Sequence, residues 1–158
     1  MEKLSCFPLF FDLSDRRVLF VGGGKIAERR IKALLPFAGS ITVTAPECTP
    51  ALRQLAAAGE ITWHARTFEE ADLDGAAIVL AATGDEVADT GIWRLCRERG
   101  IWVNVASDKD KCDFYFPGIA RRGSVVVGVT AGGADHKKAR ETTEAIRKLL
   151  DNNSTAEE

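Results

Sequence analysis

The segment that most constrains this chain runs from Arg17 to Ala45. It opens on an apolar run, Arg17–Val21 (RVLFV), passes through Gly22-Gly23-Gly24, and continues into Lys25–Leu35. There Ile26, Ala27, Ile31, Leu34 and Leu35 recur at helical spacing, and Pro36 and Gly39 end the pattern. Ser40–Ala45 (SITVTA) follows as a second strand, rich in β-branched residues. An unbroken apolar run of strand length between turn residues marks a strand buried on both faces. Strand, glycine turn, helix and strand in succession predict a βαβ unit with parallel strands.

The unit is repeated downstream. Thr49-Pro50 reads as an N-cap followed by proline at the first helical position, and Gly59 stops the helix after about Ala58. Ile61–His64 is a short third strand, and Phe68–Leu73 an acidic turn or short helix. Ala76–Ala82 (AAIVLAA) is a buried strand that ends at Thr83-Gly84-Asp85. The spacing of Val87, Ile92, Leu95 and Cys96 predicts a helix over Glu86–Arg99, closed by Gly100, and Ile101–Val105 is the fifth strand. Strands alternating with helices predict an α/β fold, a Rossmann-type doubly wound parallel sheet. Right-handed crossovers give the order 3-2-1-4-5.

After Ala106 the pattern changes. Ser107–Asp113 is a polar loop, and Phe114–Pro117 and Ser124–Ala131 read as strands separated by the basic turn Arg121-Arg122-Gly123. Gly132-Gly133 breaks the chain before a charged helix over 136–150, and residues 151–158 form a polar, flexible tail. The expected organisation is a dinucleotide-binding domain over 1–113, a β/α appendage over 114–150, and the tail.

The glycine turn is a G-x-G-x-x-A, Gly22 to Ala27. Gly22 allows the sharp exit from the strand, Gly24 lets backbone approach a pyrophosphate, and Ala27 lets the helix pack closely. The helix N-terminus then offers free N–H groups to the anion. The G-x-x-x-x-G-K-[ST] pattern of a nucleoside-triphosphate loop is absent from this turn. The acidic residue usual at the end of the second strand is also missing, since the chain reads Thr44-Ala45-Pro46-Glu47 there. No arginine stands there to meet a 2′-phosphate, which favours NAD over NADP.

Charge and composition narrow the partners. The formal net charge is −2 and the pI about 5.8, so neither nucleic acid nor an anionic membrane is expected. The run Phe7–Phe11 is short and meets Asp12 and Asp15, unlike a secretory signal, so a cytoplasmic location is expected. Cys6, Cys48, Cys96 and Cys112 are scattered and form no CxxC pair; they read as reduced thiols. No metal ligand is assigned to them, to His64 or to His136.

The sequence resembles the precorrin-2 dehydrogenase and sirohydrochlorin ferrochelatase family, the N-terminal module of sirohaem synthase. The resemblance spans roughly residues 6 to 150. It rests on FPLF at 7–10, VGGGKIAERR at 21–30, AATGD at 81–85, NVASDKDKCDFYFP at 104–117 and VTAGGA at 129–134. The glycine turn is generic; the last three segments, in this order and spacing, are specific. The resemblance implies a step of sirohaem, and so of porphyrin-type tetrapyrrole, biosynthesis. In it a hydride passes from precorrin-2 to NAD+ and a proton is lost, giving sirohydrochlorin. It places cofactor contacts at Gly22, Gly24, Lys25, Ile26, Pro46, Glu47, Thr83, Asp85, Asn104 and Val105, beside the packing residue Ala27.

Two departures from the family matter. Members with both activities carry an aspartate three residues after the asparagine of Asn-Val, and this aspartate is credited with catalysis. Here that position is Ser107, with Asp108 next door as the expected substitute and Asp110 and Asp113 behind it. Hydride transfer rests mostly on positioning and tolerates the change. Metal insertion needs a group to take pyrrole protons, so Ser107 tells more heavily against a chelatase role. The second departure is length: relatives extend past this point with a helical domain that helps to cover the substrate.

In the family the region around Ser124–Ala131 forms an intersubunit sheet. That strand is too apolar for an open edge, so a homodimer is expected. Arg121, Arg122, His136 and Lys137 are the candidates to meet the carboxylates of the macrocycle. The competing readings are a non-catalytic module that carries or senses NAD or a tetrapyrrole, and a regulatory nucleotide-binding domain of the kind found on transport proteins. The second leaves the 104–117 and 129–134 matches unexplained.

Overall fold

The structure is a computed structural model that describes residues 6–133 and 135–152. Five strands form one parallel sheet: β1 (Arg17–Val21), β2 (Ser40–Thr44), β3 (Thr62–His64), β4 (Ala76–Ala81) and β5 (Trp102–Val105). Their order is β3-β2-β1-β4-β5, as the crossover rule predicts. Three helices connect them: α1 (Lys25–Leu34), α2 (Pro50–Ala57) and α3 (Glu86–Arg99). A 3-10 turn over Glu70–Leu73 replaces a full helix between β3 and β4.

The helices begin and end where their capping chemistry puts them. Thr49 Oγ1 accepts from the Leu52 N–H at 3.3 Å, with Pro50 in the first turn. Asp85 caps α3 by accepting from the N–H groups of Val87 and Ala88, at 2.8 and 3.2 Å. Gly100 closes α3 in the left-handed region at φ 65°.

The central strands are buried on both faces. Leu19, Val21, Val79, Ala81, Val103 and Val105 form one face, covered by Ile92 and Cys96 of α3 and by Leu73. Val18 and Phe20, fully buried, alternate to the opposite face. Burial pushes the Cys96 thiol up to about 12, and Asp113 adds to that push. The thiol is therefore a core residue with no thiolate at neutral pH.

The described chain divides into two compact units, Phe11–Phe114 and a second made of Tyr115 onward with the residues up to Phe10. Residues 6–10, expected with the dinucleotide-binding domain over 1–113, group instead with the second unit. The second unit holds an antiparallel hairpin, β6 (Gly118–Arg122) and β7 (Val125–Val129), and the helix α4 (His136–Asn152).

Three expectations are corrected here. Phe114–Pro117 is not a strand; β6 starts only at Gly118. Proline has no N–H to give a ladder and restricts the residue before it, and the Phe114 carbonyl already accepts from Asn104 Nδ2 at 2.7 Å. Arg121 and Arg122 lie in β6, not in a turn. The turn is Gly123-Ser124, with Gly123 at φ 55° and no other residue of the pair at positive φ, the pattern of a type II′ hairpin. Asp151 and Asn152 close α4 and are not a tail. The rest of the expected tail lies outside the described residues.

Candidate functional site

The carboxyl ends of β1, β2 and β4 open onto a cavity of about 1050 Å³ within the sheet unit. This is where an open α/β sheet holds its ligand, at the point where strand order reverses. On its floor lies the glycine turn. The Gly22 N–H donates to the Thr44 carbonyl at 3.0 Å, the Ala82 N–H to Val21 at 2.8 Å, and the Thr49 N–H to Gly23 at 3.0 Å. The turn is thereby stitched to the segments after β2 and β4.

The three glycines are glycine for different reasons. Gly22 sits at φ 109°, and a Cβ there would fall 2.2 Å from the Ala82 carbonyl oxygen. A Cβ on Gly23 would fall 2.4 Å from the Glu47 carbonyl oxygen and 2.5 Å from Cys48 Sγ. Packing within the chain demands both. A Cβ on Gly24 would meet nothing within 4 Å. The open space beside Gly24 is a cradle with room for the close approach that a pyrophosphate requires. Gly24 also caps α1 without a side-chain hydrogen bond, so the first N–H groups of α1 remain free to bind an anion.

Most of the expected cofactor residues meet around this cradle. Gly22, Gly24, Lys25 and Ile26 line the cavity, as do Pro46 and Glu47 beyond β2 and Thr83 and Asp85 beyond β4. Ala27, fully buried, lies under α1 and serves packing alone. Asn104 and Val105 are 3% and 2% exposed and do not line the cavity. Asn104 instead ties elements together: its Oδ1 accepts from Arg30 Nη1 of α1 at 2.7 Å, and its Nδ2 donates to Phe114. The lining passes to the next two residues, Ala106 and Ser107.

Asp108 is not brought into the cavity. Its Oδ1 accepts from the Asp110 N–H at 3.0 Å and its Oδ2 pairs with Lys111 Nζ at 2.9 Å. The Lys111 ammonium and that N–H hold its carboxyl below the usual carboxylate range. Asp108 caps the short turn Lys109–Lys111, an aspartate's ordinary use at the start of a helical turn. Asp113 is similarly spent, accepting from the Val103 N–H at 2.9 Å and from Arg97 Nη1 at 2.9 Å.

A carboxylate that no sequence motif singles out does face the cavity. Asp89, in the first turn of α3, is 2% exposed and lines the cavity beside Ser107. Its Oδ1 accepts from Thr83 Oγ1 at 2.7 Å and from the Thr83 N–H at 3.2 Å. Its Oδ2 lies 3.5 Å from Ser107 Oγ. An aspartate in a helix's first turn reads as an exposed dipole partner, so no local signal sets it apart. The fold buries it between Thr83, beyond β4, and Ser107, beyond β5.

The residues expected to meet substrate carboxylates all belong to the second unit. Arg121 is exposed on β6, and Arg122 Nη1 donates to the Leu150 carbonyl. His136 and Lys137 are exposed at the start of α4, with Lys137 Nζ 3.9 Å from Glu141 Oε1. Among the described residues, no group of three or more His, Cys, Asp or Glu side chains could hold a metal ion.

Comparison with known proteins agrees with this geometry. The profile of an NAD(P)-binding family matches residues 9–118. A siroheme synthase of Methylobacillus flagellatus is 39% identical over 150 residues, covering 95% of this chain and 32% of that protein. A multifunctional siroheme biosynthesis protein of Ruminiclostridium josui is 37% identical over 144 residues, 90% of this chain and 28% of that one. The chain thus spans less than a third of the length of these relatives. Among solved structures, SirC, precorrin-2 dehydrogenase, superposes with a TM-score of 0.74 at 28% identity, covering 94% of this chain and 71% of that one. With a profile that matches residues 9–118, most of its length, the chain belongs to the NAD(P)-binding family.

Proposed function

We propose that the chain is an NAD-dependent dehydrogenase that oxidises precorrin-2 to sirohydrochlorin in sirohaem biosynthesis. The observation that carries this reading is the likeness to SirC over 94% of the chain. When bound, NAD+ supplies the hydride acceptor, and the chain supplies position. The glycine turn and the free N–H groups of α1 hold the pyrophosphate. Pro46, Glu47 and the backbone after β2 hold the adenosine ribose, in place of the usual acid. Thr83 and Asp85, beyond β4, would hold the other half of the dinucleotide.

Arg121, Arg122, His136 and Lys137 meet the carboxylates of the macrocycle. The working form is a homodimer joined along β7, located in the cytoplasm, with neither nucleic acid nor membrane as partner. No helix among the described residues is long and apolar enough to cross a membrane.

Purified protein incubated with precorrin-2 and NAD+ is expected to form sirohydrochlorin and NADH in equal amounts, read by their absorbance. No spectral change with NAD+ or NADP+ removes the claim. One observation favours a second reading, a binding module without turnover: the family's catalytic aspartate is Ser107 here. That reading predicts NAD+ or macrocycle binding with no NADH.

A further inference from the structure

Precorrin-2 oxidation releases a proton as well as a hydride, so the site needs a proton acceptor on the β4–β5 side of the cavity. The position where the family keeps its aspartate holds a serine, and the neighbouring Asp108 is spent on Lys111 and the Asp110 N–H. Of the other carboxylates that line the cavity, Glu47 lies beyond β2 and Asp85 is spent on the cap of α3, where its Oδ1 accepts from the Val87 and Ala88 N–H groups, which leaves Asp89. Thr83 fixes its Oδ1 through two hydrogen bonds, which aims Oδ2 at Ser107 Oγ. Ser107 is exposed to the cavity, while Asp89 is 2% exposed behind it. A separation of 3.5 Å exceeds a strong O–H···O hydrogen bond, and such catalytic contacts tighten once substrate is bound.

We propose that Asp89 and Ser107 together form the proton acceptor of the dehydrogenase, the carboxylate having moved across a side-chain contact from the loop after β5 to the first turn of α3. This proposal rests on the dehydrogenase reading above. In the step, one hydrogen leaves the macrocycle with its electron pair as hydride, and NAD+ becomes NADH. A second hydrogen leaves as a proton to Ser107 Oγ while the proton of that hydroxyl passes to Asp89 Oδ2. The result is oxidised macrocycle, an intact serine and a neutral Asp89 carboxyl. Asp89 then returns its proton through Ser107 to water, restoring both groups. Ser107 touches the substrate; Asp89 acts through it and is a positioning and proton-storing residue.

The decisive experiment moves the carboxylate back. Asp89→Asn keeps the Oδ1 acceptor for Thr83, so NAD+ affinity by calorimetry should stay within about twofold of the unmutated chain. Its kcat for precorrin-2 should fall by about 100-fold with little change in KM, the usual worth of a positioned general base. Adding Ser107→Asp to Asp89→Asn should recover kcat to within about tenfold of the unmutated chain, which a merely structural Asp89 would not do. The proposal is overturned if Asp89→Asn turns over at full rate. It is equally overturned if the double variant binds NAD+ normally but stays as slow as Asp89→Asn. Should Asp89→Asn fail to fold, Ser107→Ala decides the matter: lowered kcat with unchanged NAD+ affinity supports the relay, and full turnover overturns it. Failure of the dehydrogenase reading looks different, because the unmutated chain would then bind NAD+ and form no NADH.

Discussion

The sequence assigns Gly22 to the turn and Gly24 to the approach of a pyrophosphate, and the structure shows what surrounds each Cβ. At Gly22 the chain itself forbids a side chain, through a positive φ and the Ala82 carbonyl. Gly22→Ala should therefore destabilise the fold, by about 1–3 kcal/mol from backbone strain alone. Gly24→Ala should lower the thermal midpoint far less, by no more than the loss of a glycine N-cap, since its Cβ meets no protein atom within 4 Å. It should weaken NAD+ binding by about tenfold or more, equivalent to about 1.4 kcal/mol, through the methyl placed in the pyrophosphate cradle. Thermal melts and calorimetry on the two variants check the contrast; a stable Gly22→Ala or a tightly binding Gly24→Ala would contradict it. The motif is legible in the sequence because each of its jobs is local. Asp89 is not, because what sets it apart is its contact with Ser107, which is distant in sequence and stands beyond β5.

Elements are legible wherever their ends carry capping chemistry. The bounds of β1 and α3 follow from the sequence because the glycine turn punctuates the first, and Asp85 and Gly100 the second. Phe114–Pro117 misleads because its apolar pattern competes with a long-range tie, the Asn104 bond to the Phe114 carbonyl. The short turn before β4 shows another such tie. Asp72 is buried and receives both Arg66 Nη groups, at 2.8 and 2.7 Å, together with the Glu69 N–H at 2.9 Å. The Arg66 guanidinium is the main cause that holds the Asp72 carboxyl below its ordinary value. A depressed folded pKa adds stability above the unfolded value, about 3.9, and that stability is lost as pH falls through the lower folded value. Asp72→Asn should lower the thermal midpoint by several degrees near neutral pH. The gap to the unmutated chain should hold down to about pH 5 and close below about pH 4. Melts across that range test the sign; a gap that widens in acid would refute the assignment.

For the molecule as a whole, the hairpin poses the question of assembly in physical terms. β6 and β7 form a two-stranded sheet, and such a hairpin needs a further partner for stability. α4 supplies one face: Thr143, 3% exposed, packs so closely on Gly118 that a Cβ there would lie 2.2 Å from Thr143 Oγ1. The hydrogen-bonding edge is a separate matter from the face. In a two-residue hairpin Arg122 and Val125 exchange hydrogen bonds, and by alternation so do Ala120 and Val127. Val126 and Gly128 therefore turn their N–H and C=O groups to the outer edge of β7. An edge of this apolar composition, Val125–Val129, without charge or proline to protect it, is a template for a second strand. Two copies meeting along β7 would satisfy these groups by a two-fold, self-complementary pairing. Val126→Pro removes one outward N–H and leaves the β6–β7 ladder its own bonds. If β7 is the seam, sedimentation of the unmutated 17.1 kDa chain gives twice that mass, and Val126→Pro gives a monomer with unchanged helical circular dichroism. A monomeric parent, or a dimer that survives the proline, would place the seam elsewhere or remove it.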